Sequence, residues 1–230
     1  MTRREAIMAI IWLPVHFYVL PWLISEMIVK DAFPESFGEL AVYGIGALYI
    51  LIAEFSFLRR EFDPLCDNIR GCVFAIIAGY IAMTALNMIS SYIVIGISKL
   101  FGWGDAVNNL NNNAIVDIAV NARGVMTATA VFLAPIVEEV IFRGGIFLSL
   151  TKRNRLLAYI VTIGLFALYH VAAYALTDAT YWIYLIQYIP AGFVLCRCYE
   201  KTETIWAPIF LHMAINAVAM EALVALEKMA

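Results

Sequence analysis

Seven mostly apolar stretches of about 20 residues recur along the chain, each long enough at about 1.5 Å per residue to cross a bilayer as an α-helix. They run approximately from Met8 to Ile28, Leu40 to Leu58, Cys72 to Ile97, Val125 to Leu150, Leu156 to Leu176, Tyr181 to Cys198 and Ile205 to Leu226. The apolar residues are continuous rather than alternating, which predicts helices and not the strands of a barrel. The third and fourth stretches exceed what a bilayer requires, so a tilt or a protruding end is expected. The expected fold class is all-α: a polytopic transmembrane helix bundle of about seven to eight helices. A single transmembrane domain is expected over 1–230, with N-terminal helices and an outer loop over 1–124 and helices bearing polar motifs over 125–226.

Composition agrees with this pattern. Of 230 residues, 63% are hydrophobic and 14% charged, and the mean hydropathy of +0.85 is far above that of a soluble domain. The formal net charge of −3 offers no basic field for nucleic acid. Arg3, Arg4, Arg59, Arg60, Arg70, Lys152, Arg153, Arg155, Arg197 and Lys201 fall on one side of the seven spans, against Lys30, Lys99, Arg123 and Lys228 on the other. The richer side is expected to be cytoplasmic, which puts the N-terminus inside and the C-terminus outside. The opening Met-Thr-Arg-Arg-Glu precedes an apolar run with Pro14 and Pro21 and no small-x-small cleavage site, so a retained helix is expected rather than a signal peptide. The Asn-rich tract Asp105 to Ala114 reads as an outer polar loop, followed by a surface-lying stretch from Ile115 to Val120. Cys66, Cys72, Cys196 and Cys198 all fall near the cytoplasmic side, where reduced thiols are expected and no disulfide frame or zinc ribbon is supported.

Ionisable groups deep in hydrocarbon are costly, so those that persist are candidates for function. Glu138, Glu139 and Arg143 occupy the fourth span, His170 the fifth, and His212 with Asn216 the seventh. Glu139 and Arg143 are four apart and share a helix face, in the favourable order for an ion pair. Glu138 is turned about 100° away, without a local partner. A carboxylate beside another in low dielectric suits general base or acid work. Phe166 lies one turn before His170 and is placed to floor a pocket. His212 and Asn216, also four apart, are able to donate hydrogen bonds to one developing negative charge. Depths reckoned from the cytoplasmic helix ends are roughly 18 Å for Glu138, 21 Å for His170, and 10 and 17 Å for His212 and Asn216. They allow convergence in one layer.

These residues resemble the CAAX prenyl protease and bacteriocin-processing family, also called the Abi or type II CAAX endopeptidase family of intramembrane proteases. Ala134-Pro135-Ile136-Val137-Glu138-Glu139-Val140-Ile141-Phe142-Arg143-Gly144 resembles its first motif, Phe166 with His170 its second, and Trp206 through His212 to Asn216 its third. The resemblance runs from Leu133 to Val218 and leaves out the first three helices. It implies that Glu138 activates water, that His170 helps to hold it, that His212 and Asn216 form an oxyanion hole, and that Glu139, Arg143 and Phe166 support the site. It also implies about eight helices, so a short or re-entrant helix is conceivable within Asp105 to Gly124. The expected substrate is a peptide or protein with a prenylated or otherwise hydrophobic tail, met among membrane lipids. A bacterial plasma membrane location, with the site opening toward the cytoplasm, is expected.

Two other chemistries compete. Glu138, His170 and His212, with water as fourth ligand, make a reasonable zinc set. Metal-free glutamate chemistry is preferred, with no cofactor, because no helix carries a zincin pair of histidines and Asn216 suits an oxyanion better than a cation. A transporter or a non-catalytic binding or immunity scaffold would use the same polar cluster. Transport calls for matching broken halves, which are absent here, and every motif position needed for catalysis is intact. His16 reads as packing, and Asn87, Glu26 and Glu54 as polar glue or residues near an interface.

Overall fold

The computed structural model describes residues 1–34, 37–103 and 122–227, and among these it is helical throughout, with no strand. Helix α1 spans Arg3–Val29, α2 Gly38–Ala53, α3 Phe55–Asp67, α4 Ile69–Leu100, α5 Arg123–Thr151, α6 Arg155–Ala175, α7 Ala179–Thr202 and α8 Trp206–Glu227. Helices α1, α4, α5, α6 and α7 are each long and apolar enough to cross a membrane. Most expected spans hold to within a few residues at either end. The protein is an integral membrane helix bundle.

The second expected span, Leu40 to Leu58, departs from that pattern. The helix breaks at Glu54, and α3 leaves α2 at 70°. Hydropathy runs unbroken through Ala53 and Phe55, so only the backbone reveals the corner. Glu54 is fully buried there with neither carboxylate oxygen partnered, while Glu26 is exposed and pairs with Lys30 at 3.3 Å. The Asn-rich tract, the stretch Ile115 to Val120 and most of any extra helix within Asp105 to Gly124 lie outside the described residues. The four cysteines are free, three of them buried.

Helix α5 is the centre of the bundle. Of its membrane window 61% is buried, against 11% for α4 and at most 39% for the other spans. It packs on α1, α2, α6 and α8, and polar groups at its buried positions, Glu138, Glu139 and Arg143, are shielded from lipid. Wide π turns interrupt it over Thr127–Leu133 and Val140–Phe147, where Ala134 N–H reaches Thr129 O and Leu148 N–H reaches Arg143 O. Pro135 has no N–H to give to the preceding turn, and a π turn absorbs that defect. The α-helical segment between them, Ala134–Glu139, carries both glutamates. In α1 the same device follows Pro14, over Val15–Val19.

Glycines permit the close approaches. A Cβ on Gly46 of α2 would lie 2.5 Å from Cε1 of His16, and one on Gly192 of α7 would lie 3.1 Å from the Ile163 backbone of α6. Small residues at such crossings let transmembrane helices meet, since lipid tails compete for every larger apolar surface. The start of α8 is tied to α3: Trp206 Nε1–H donates to Leu58 O at 3.0 Å, and Ile205 N–H to Glu61 Oε2 at 3.0 Å. That anchor sets the register of His212, under two turns further on.

Candidate active site

The adjacent glutamates of α5 point to different neighbours, as the 100° offset between consecutive residues requires. Glu139 is fully buried, and its Oε1 accepts from Arg143 NH1 at 2.9 Å and lies 2.8 Å from Nδ1 of His212. Arg143 is also fully buried. Its NH2 donates to Gly192 O at 3.3 Å, and its guanidinium sits 4.6 Å from the centre of the Phe166 ring. A buried ion pair is tolerable only when further contacts compensate both charges; here α7 and α8 supply hydrogen bonds through Gly192 and His212 and α6 the face of Phe166, while Glu139 Oε2 and Arg143 Nε have no hydrogen-bond partner among the described residues. The expected Glu139–Arg143 pair is present, and it ties three helices together.

Glu138 faces the other way. Its Oε1 accepts from the Tyr43 hydroxyl of α2 at 2.9 Å, and its buried Oε2 has no partner in the protein. Nε2 of His170 lies 4.0 Å from that oxygen. His170 holds Phe166 O at 2.8 Å through Nδ1. Because a carbonyl only accepts, this bond puts the proton of a neutral imidazole on Nδ1 and leaves a lone pair on Nε2. Two acceptors 4.0 Å apart are too far for a direct bond, but a water about 2.8 Å from each would see them at roughly 90°, close to its own bond angle.

Phe166, His170, His212 and Asn216 line one cavity of about 280 Å³ between α4, α6, α7 and α8. The two expected oxyanion donors are partly engaged elsewhere. Asn216 gives one N–H to Ala130 O at 2.8 Å, in the first π turn of α5, and His212 gives Nδ1 to Glu139. One amide N–H of Asn216 and Nε2 of His212 are left for a ligand. A larger apolar groove of about 500 Å³ runs between α4 and α8 and shares Met83, Asn87, Ser91, Ile215 and Ala219 with the cavity. Asn87, expected to be polar glue, has a buried and unpartnered Oδ1 at this junction.

The donor set fits a metal poorly. Although His212 keeps Nε2 free, among the described residues no three His, Cys, Asp or Glu side chains converge in a way that would hold an ion. His16 is packed, as expected, against Trp12, Phe17 and Tyr43, and both its ring nitrogens are buried without a partner. Tyr43 was not expected. Its signal in the sequence is a phenol within an apolar span, where a hydroxyl needs a partner.

Residues 121–218 match the family described as type II CAAX prenyl endopeptidase, Rce1-like. The chain is 30% identical over 154 residues to the candidate membrane peptidase YdiL of Bacillus subtilis (strain 168), an alignment covering 65% of this chain and 56% of that protein. It thus spans little more than half of that relative's length. No solved structure matches. The matched segment contains Glu138, Glu139, Arg143, His170, His212 and Asn216, and over residues 121–218 the chain is similar to the type II CAAX prenyl endopeptidases.

Proposed function

We propose that the protein is an intramembrane endopeptidase that hydrolyses a peptide bond in a membrane-associated or lipidated peptide by glutamate-activated water. The observation that carries this reading is the pairing of an unpartnered Glu138 Oε2 with the lone pair of His170 Nε2 at 4.0 Å, where His170 in turn lines one cavity with His212 and Asn216. A water giving one hydrogen to each acceptor turns its own lone pairs outward. As its oxygen bonds to the scissile carbonyl carbon, its proton passes to Glu138 Oε2.

The carbonyl oxygen then bears the negative charge. Asn216 donates its remaining N–H, and His212 donates Nε2–H in its imidazolium form only, with Nδ1–H on Glu139. Collapse of the tetrahedral intermediate breaks the C–N bond, and Glu138 returns its proton to the leaving amine. The products are an amine and a carboxylic acid, which loses its proton to water on release, with no covalent enzyme intermediate.

The apolar groove that joins the cavity supports a substrate with a hydrophobic or prenylated tail, drawn from the lipid phase. The positive-inside pattern supports a plasma membrane orientation with the catalytic side accessible from the cytoplasm. Incubation of detergent-purified protein with a mixed panel of prenylated and unmodified hydrophobic peptides, read by mass spectrometry, tests the function. Cleavage of at least one peptide at a single bond is expected. A folded protein that cleaves none of the panel, and none of the peptides in a lipid extract of its host, overturns it.

A further inference from the structure

Tyr43 belongs to α2, outside the matched segment, yet it makes the only hydrogen bond to Glu138 among the described residues. Its hydroxyl also meets that of Tyr169 on α6 in a short hydrogen bond. Both rings are held by α1: Tyr43 lies edge-on to His16 with centroids 5.0 Å apart, and Tyr169 lies 3.8 Å from Phe17. Neither tyrosine lines the catalytic cavity.

An ionised carboxylate only accepts, so Tyr43 spends its single proton on Glu138 Oε1. Tyr43 oxygen must then accept from Tyr169, and the chain runs one way, from Tyr169 through Tyr43 to Glu138. We propose that Tyr43, backed by Tyr169, is a positioning residue that assigns the two oxygens of Glu138 separate tasks. Oε1 is anchored, and Oε2 is kept for the water and its proton. This inference rests on the peptidase reading above.

The proton count closes. When water attacks, its O–H bond breaks and the proton goes to Oε2, because Oε1 already holds the Tyr43 hydrogen bond. Neither tyrosine changes protonation state, and the proton leaves Oε2 for the amine nitrogen as the C–N bond breaks. Without Tyr43 the carboxyl group rotates about its last torsion, and either oxygen takes the proton. A proton on the oxygen turned away from the leaving group is not returned to it.

The test is Tyr43→Phe beside Tyr169→Phe and the double variant. Tyr43→Phe is expected to lower kcat about 10- to 100-fold, the range for losing one hydrogen bond to a charged group, with KM within about 2-fold of the parent. Tyr169→Phe is expected to lower kcat less, and the double variant no more than Tyr43→Phe alone. A structural role would move KM and thermal stability together with kcat. Infrared difference spectra supply a readout that needs no turnover: the carboxyl band lost in Glu138→Gln is expected to shift in Tyr43→Phe. An unmoved band, or an unchanged kcat in an active parent, overturns the proposal. A shifted band in a protein that cleaves nothing leaves the contact standing and overturns the peptidase reading, and the catalytic role of Tyr43 with it.

Discussion

Replacing Arg143 by Met separates the energy of the buried ion pair from that of the packing around it. Met keeps most of the apolar stem, so the volume lost is small, but Glu139 is left fully buried with His212 as its one hydrogen-bond partner. The Gly192 carbonyl loses its 3.3 Å donor and Phe166 its cation. Removing one partner of a buried pair typically costs about 3–5 kcal/mol. The Gly192 bond and the cation–π contact are part of that cost rather than additions to it. Replacing both partners, as Glu139→Gln with Arg143→Met, removes the stranded charge, and the double variant is expected to recover at least about 1.5 kcal/mol over Arg143→Met alone. Thermal or denaturant unfolding in detergent, with Arg143→Met, Glu139→Gln, their double variant and the parent under one condition, reads the difference. A loss below about 1 kcal/mol for Arg143→Met, or costs that simply add in the double variant, would refute the claim that a compensated charge pair holds α5 to α7 and α8.

Gly46→Ala places a Cβ against the His16 ring and is expected to lower stability by about 1–3 kcal/mol, with an effect less than additive alongside His16→Ala, as read by unfolding in detergent. Glu203 ends α7 in the left-handed region at φ 53° and is exposed, so Glu203→Gly is expected to raise the unfolding midpoint by an amount equivalent to about 1 kcal/mol. Treatment with a strong zinc chelator is expected to leave peptide cleavage unchanged, since no three ligating side chains converge among the described residues; activity lost to the chelator and restored by stoichiometric zinc would return Glu138, His170 and His212 to a metal-bound role.

The parts of the site set by local spacing were legible in the chain. Glu139 and Arg143 sit four apart on one helix, so their pairing follows from helical geometry, even though a π turn begins between them. Glu138 was separable from Glu139 for the same reason. What completes Glu138 was not legible, because Tyr43 lies 95 residues away and nothing in its neighbours marks it out from a packing tyrosine. The corner at Glu54 was hidden by the apolar residues on both sides of it, and hydropathy carries no information on backbone direction. Asn216 shows the opposite limit. Its spacing from His212 is that of a shared face, yet one of its donors is taken by Ala130 O, a carbonyl in a π turn that no residue pattern announces.

The most direct test of the account is the rate of peptide-bond cleavage by Glu138→Gln on the best substrate of the parent, with folding of both checked by unfolding in detergent. Glutamine keeps the size and one acceptor oxygen of the side chain but cannot take the proton of water. The account predicts a loss of at least about 100-fold in kcat with the fold intact, in keeping with removal of a general base. A folded Glu138→Gln that cleaves within about 3-fold of the parent would contradict it.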